Sequence, residues 1–96
     1  MKLTGLNWDF GNLEKVRKHG LSHEDIEEFL LSDPFILADE RHSTAESRYI
    51  AFGKFNDRHL FVAFTIRAVE GELKIRPISA RYANKKEVEK FYGKNH

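Results

Sequence analysis

The sequence predicts an α+β fold, an antiparallel β-sheet meander packed with N-terminal helices and a C-terminal helix, all expected on one face. Three segments rich in β-branched and aromatic residues, at about 46–55, 59–69 and 73–80, follow one another with only the turn signals Asn56–Asp57 and Glu70–Gly71 between them. On either side stand cap residues followed by apolar positions at helical spacing. A chain of 96 residues supports one core, so residues 1–96 are read as a single domain.

Taken in order, the alternation Leu6, Trp8, Phe10 suggests a short first strand, and Gly11–Asn12 offers a turn and a cap for a helix reaching about His19. Gly20 should end that helix, because glycine takes the left-handed conformation without steric cost. The second helix is signalled by Ser22 as cap and Asp25 at its third position, with Leu21 placed to staple onto Ile26. Ile26, Phe29 and Leu30 form its buried stripe, and Asp33–Pro34 stops it. Residues 35–45 begin apolar, turn polar from Asp39, and read as a long exposed connection. A last helix over residues 85–92 is capped by Asn84 with Glu87 three residues on, and presents Val88, Phe91 and Tyr92. Pro77 has no N–H for a ladder, so the last strand should be an edge there, carry a bulge, or lose pairing on one side.

Turn geometry fixes which charges share a face. A two-residue turn at Glu70–Gly71 sets Thr65 opposite Arg76 and Arg67 opposite Lys74, and a two- or four-residue loop before it brings Glu46 and Arg48 to the same side. The other side holds Tyr49, Ala51, Leu60, Val62, Phe64, Ile66, Leu73 and Ile75, a core set. The first face runs from the apolar residues Ile50, Phe52, Phe61 and Ile78 to the cluster Glu46, Arg48, Arg67, Lys74 and Arg76. Solvated sheet residues with a stray salt bridge would look similar. Like charges on adjacent strands repel, however, and an anionic partner such as an RNA phosphate or an acidic segment would offset that. Arg81 has the opposite parity to Arg76 and should face away from it.

Composition narrows the function classes. The formal net charge is +1, but residues 22–47 carry eight acids against Arg41, while the chain from Leu73 onward carries seven bases against Glu87 and Glu89. There is no cysteine, and the histidines form no ligand pattern, so no disulfide framework, metal site or cofactor is expected. No signal peptide or membrane span is legible, which makes the cytoplasm the expected location.

Several pieces then occur in a telling order: Trp8–Asp9, Lys18–His19–Gly20, Asp33–Pro34, Glu46-x-Arg48 before a strand with Gly53, and Ile78–Ser79–Ala80–Arg81 followed by Ala83, Glu87 and Tyr92. Over nearly its whole length the chain thereby resembles the BrnT family of toxins. It departs in having Phe10 where the family usually has proline and Pro77 where it usually has an aliphatic residue; Pro77, beside Arg76, could re-aim that side chain. The resemblance implies a RelE/ParE-like fold and a ribonuclease that blocks translation. It also implies a BrnA-like antitoxin from the neighbouring gene, through which alone operator DNA would be bound.

RNA cleavage without a metal needs a base for the 2′-hydroxyl, cationic donors for the phosphorane charge, and a proton for the leaving oxygen. Arg48, Arg67 and Arg76 are the expected donors. His19, Glu46 and Lys18 are the candidates for proton transfer, with Glu46 placed rather to orient the arginines, and His19 also suited to meeting the last helix carbonyls. Lys18, Lys74, Arg81 and Tyr82 are the expected substrate-binding set, the role of Arg81 resting on the family motif. The competing readings are a non-catalytic module that clamps an acidic segment or DNA backbone, and a small RNA-binding protein. The antitoxin is expected to cover the basic face, using Ile50, Phe52 and Phe61 as an apolar centre.

Overall fold

A computed structural model of the chain describes residues 3–42 and 46–95. Its five strands are β1 (Leu3–Leu6), β2 (Phe35–Ala38), β3 (Arg48–Phe55), β4 (Arg58–Val69) and β5 (Glu72–Tyr82). The helices are α1 (Phe10–Arg17), α2 (His23–Leu31) and α3 (Lys85–Asn95), with a short 3₁₀ turn at Glu40–His42. The sheet order is β1-β5-β4-β3-β2. The central meander β3-β4-β5 is antiparallel as expected, but β1 joins β5 in parallel, so the sheet is mixed.

Both hairpins turn on two residues with positive φ, Asn56 and Asp57 in one and Glu70 and Gly71 in the other. That backbone matches the twist of the flanking strands and locks the register. Arg48 pairs with Thr65, Thr65 with Arg76, and Arg67 with Lys74, the arrangement the turn arithmetic anticipates.

Pro77 produces a bulge. Phe64 pairs with Pro77 and Ala63 with Ser79, leaving Ile78 without a partner across the ladder. The extra residue reverses the alternation beyond it. Arg81, expected to face away from Arg76, therefore pairs with Phe61 and joins the face of Arg48 and Arg76.

The core lies on the opposite face. Val16, Leu21, Ile26 and Phe29 pack with Ala51, Leu60, Val62, Phe64 and Ala80 in one buried cluster. Gly53 lets α2 come close, since a Cβ there would stand 3.3 Å from both Phe29 and Pro34. Leu21 and the Ser22–Asp25 capping box set the entry of α2 as anticipated.

Four expectations need correction. The first strand ends at Leu6, before Trp8 and Phe10, and the cap of α1 is Asp9 rather than Asn12. Asn12 is the reciprocal member of that box, with its Oδ1 accepting from the Asp9 N–H at 2.7 Å. Residues 35–38 form an edge strand on β3 instead of a connection, because the pairing of Phe35 with Phe52 through Ala38 with Tyr49 satisfies their inward backbone groups. The expected connection also runs through residues 43–45, which lie outside the described residues. Finally, the helices are not all on one face. Phe91 of α3 stacks on Phe52 with centroids 3.9 Å apart, and Tyr92 meets His59, so α3 covers the end of the sheet face opposite α1 and α2.

Candidate functional site: an arginine-lined sheet face

Two adjoining hollows occupy the sheet face left open by α3. The first, about 270 Å³, is lined by Gly11, Asn12 and Lys15 of α1 together with Glu46, Thr65, Arg67, Arg76, Pro77 and Ile78. The second, about 350 Å³, is lined by Asp39, Arg48, Ile50, Phe61, Ala63, Ser79 and Arg81. They meet across the paired row Arg48–Thr65–Arg76.

Three of the arginines are aimed by specific partners. Arg76 donates to Asn7 Oδ1 at 2.8 Å and to Asp9 Oδ2 at 2.7 Å. Asp9 also accepts the Asn12 N–H as the helix cap, and that bond first, then Arg76, holds its carboxyl below the ordinary 3.8. The Trp8–Asp9 motif thus caps α1 and orients Arg76 with one carboxylate. Asn12, nearly fully buried, donates to the carbonyl of Asn7 and to that of Pro77, tying α1 to the bulge. Arg67 donates to Glu46 at 2.8 Å, a half-exposed pair worth little to stability, about 0–1 kcal/mol, but sufficient to fix direction. Arg81 grips Glu87 with both terminal nitrogens, at 2.8 and 2.7 Å, while its guanidinium lies 5.0 Å from the Phe61 ring centre. This fork pulls the Glu87 carboxyl down to about 2.

Thr65 is the residue the sequence reading passed over. It is 5% exposed, lies between Arg48 and Arg76, and its buried Oγ1 has no partner among the described residues. A buried hydroxyl left unsatisfied beside a polar hollow is suited to a ligand oxygen or a water. The register arithmetic already placed it in the arginine row, which is the signal that could have singled it out. Lys15 and Asn12 carried no comparable mark, because only the packing of α1 on β5 brings them to the hollow.

The structure gathers Glu46, Arg48, Arg67, Arg76 and Arg81 on one face, with Lys74 paired across from Arg67 and its Nζ 3.5 Å from Glu72. Three expected residues lie elsewhere. Lys18 and His19 sit at the far end of α1, roughly 13–15 Å along the helix axis from Asp9, because the helix begins at the hollow and runs away from it. Tyr82 pairs with Leu60 on the core face, with Arg58 stacked 3.9 Å from its ring centre. Phe52, expected as an exposed interface residue, is fully buried beneath α3.

Fold and site together define a small α+β protein with a clustered, internally braced arginine face. Residues 8–87 match the model of a family described as the ribonuclease toxin, BrnT, of type II toxin–antitoxin systems, and the chain belongs to that family. No curated protein matches it individually. Membership makes the protein a ribonuclease toxin with an RNA target and an antitoxin partner. Among the described residues no helix is long and apolar enough to cross a membrane.

Proposed function

We propose that the arginine face is where this ribonuclease toxin cuts RNA, by a metal-independent transesterification that blocks translation. The observation that carries the reading is the first hollow, where Arg67, Arg76 and the unsatisfied Thr65 hydroxyl line one space together with the carboxylate of Glu46. The phosphate lies against Arg67 and Arg76, with Thr65 donating to a non-bridging oxygen. Glu46, aimed by Arg67, takes the proton of the 2′-hydroxyl as its oxygen attacks phosphorus. The bond from phosphorus to the 5′-oxygen breaks, and Lys15 on the facing helix supplies the proton that oxygen needs. The second hollow binds the adjoining nucleotide, with Arg48 and Arg81 for its phosphate and Phe61 and Ile50 beneath its base. His19 and Lys18, at the other end of α1, act at most on more distant parts of the RNA.

The chain works as one domain of the RelE/ParE type, in the cytoplasm, against a BrnA-like antitoxin that carries any operator binding. The α+β order and the sheet-borne arginines support that fold reading. The test is RNA incubated with antitoxin-free protein in EDTA. Cleavage leaving 2′,3′-cyclic phosphate and 5′-hydroxyl ends is expected, and complete dependence on a divalent ion would overturn the mechanism.

A further inference from the structure

The basic face lacks the apolar centre an antitoxin seat there would need, because Phe52 is covered by α3. Apart from Phe10 at the start of α1, 79% exposed, the large exposed apolar residues lie elsewhere. Leu31 is 86% exposed, and the edge strand β2 shows Phe35 at 58%, Ile36 at 51% and Leu37 at 39%. Beside Ile36 opens an apolar groove of about 360 Å³, walled by Leu30, Tyr49, Phe64, Ile66 and Ile75 on the face away from the arginines.

The backbone of β2 is also open. The Asp39 N–H donates to the Arg48 carbonyl, which makes 39 and 48 a hydrogen-bonded pair. Such pairs alternate in an antiparallel ladder, so Phe35 and Leu37 bond inward to β3 while the N–H and C=O of Ile36 and Ala38 point to the outer edge. No described strand lies beyond them. An uncovered apolar edge is a template for strand addition.

We infer that an extended apolar segment of the antitoxin, flanked by basic residues, adds to the outer edge of β2 and fills the Ile36–Ile66 groove. The inference rests on the family's antitoxin partner. Charge selects this occupant over a second copy of the chain. Asp33 stands at one end of the edge, and Asp39 and Glu40 at the other, followed by Arg41 and with Arg48 beside Asp39 on β3. Self-pairing in the parallel sense sets acid beside acid, and in the antiparallel sense carries each Asp33 toward the other copy's Asp39–Glu40 end, whereas basic flanks complement both ends. The segment also reaches the catalytic face. β2 leads into Asp39, which lines the second hollow with Arg48, so chain continuing past that end would lie over the RNA path.

The test uses the purified toxin and its co-encoded antitoxin. Ile36→Pro removes an outward N–H without touching the β2–β3 ladder and is tolerable on an edge strand. Ile66→Gln, on β4, probes the groove independently. Expected are about tenfold or greater weakening of antitoxin binding by Ile36→Pro and a smaller loss by Ile66→Gln, with RNA cleavage by the free variants unchanged. In the wild-type complex the amides of Ile36 and Ala38 should exchange more slowly than in free toxin, while Arg67→Glu should leave affinity within about twofold. Wild-type affinity in both edge variants with unprotected amides overturns the proposal, as does a toxin dimer that Ile36→Pro dissolves. Failure of wild-type toxin to bind the co-encoded protein at all would instead remove the antitoxin partnership on which the proposal rests.

Discussion

Arg67 and Arg76 carry the same charge on paired strands, yet their surroundings assign them different costs. Arg67 leans on Glu46 in solvent, so Arg67→Ala should leave stability within about 0.5 kcal/mol while cutting the rate on the order of 10²–10³. Arg76 is only 18% exposed and braces Asn7 and the cap residue Asp9, so Arg76→Ala should lose comparable activity and also lower the melting temperature. Parallel melts and cleavage assays separate the two, and unchanged activity in both would reduce the arginines to surface residues. Thr65→Val tests the hydroxyl with almost no change of shape. Because Oγ1 has no partner among the described residues, the variant should be neutral to about 1 kcal/mol more stable, and a lost phosphate hydrogen bond should slow cleavage about tenfold. A destabilised variant with full activity would show that the hydroxyl serves the fold. Thr65, Arg48 and Arg76 were readable as one row from turn arithmetic. Their partners Asn7, Asp9 and Asn12 were not, since these depend on how α1 leaves β1.

What was legible among the elements was whatever had a local cause. The capping boxes at Ser22 and Asn84 and the two-residue turns each lie within a few residues of chain, and each stands where the sequence puts it. β2 is not legible because four apolar residues carry no periodicity of their own and become a strand only by pairing with β3. Parity counting turns Arg81 the wrong way because it assumes an uninterrupted strand. Pro77 announced that the strand would be irregular but not that the extra residue would turn the next arginine over. That reversal makes Glu87 a joint between α3 and the site, since it caps the helix through Asn84 and holds Arg81 by both oxygens. Its carboxyl ordinarily titrates at 4.5 and in the folded protein at about 2. The depressed value means that its contribution to stability is fully present above pH 4.5 and is lost as pH falls toward 2. Glu87→Gln should therefore lower the melting temperature at neutral pH and flatten the stability profile between pH 4.5 and 2, as followed by thermal melts across that range. A variant whose acid limb matches the wild type would place the acid-sensitive contact elsewhere.

Considered as a whole, the molecule separates charge by face rather than by net balance. Arginines line one side of the sheet, acidic residues run along α2 and the β2 edge, and the totals nearly cancel at +1. This arrangement has a measurable consequence for RNA binding, because a phosphate that replaces or shares a carboxylate gains less than one that meets a free cation. Arg67, Arg76 and Arg81 are each already engaged by a carboxylate, so RNA displaces internal partners as well as bulk counterions. Single-stranded RNA releases about 0.7 counterions per phosphate neutralised, and an effective two to four phosphates would give a slope of roughly −1.5 to −3 for log K against log salt. The measurement needs a non-cleavable RNA, such as one bearing 2′-deoxy nucleotides, titrated with antitoxin-free protein from low to moderate salt. Removing a brace exposes the mechanism. Glu46→Gln leaves Arg67 without its counter-charge, so the variant should bind this RNA more tightly at low salt and with a steeper slope, even as it loses the base that cleavage requires. A wild-type slope near zero would mean that RNA does not engage the arginine face. A Glu46→Gln slope no steeper than the wild type's would mean that Glu46 does not restrain Arg67 in solution, and the electrostatic account of the site would have to be rebuilt around other pairs.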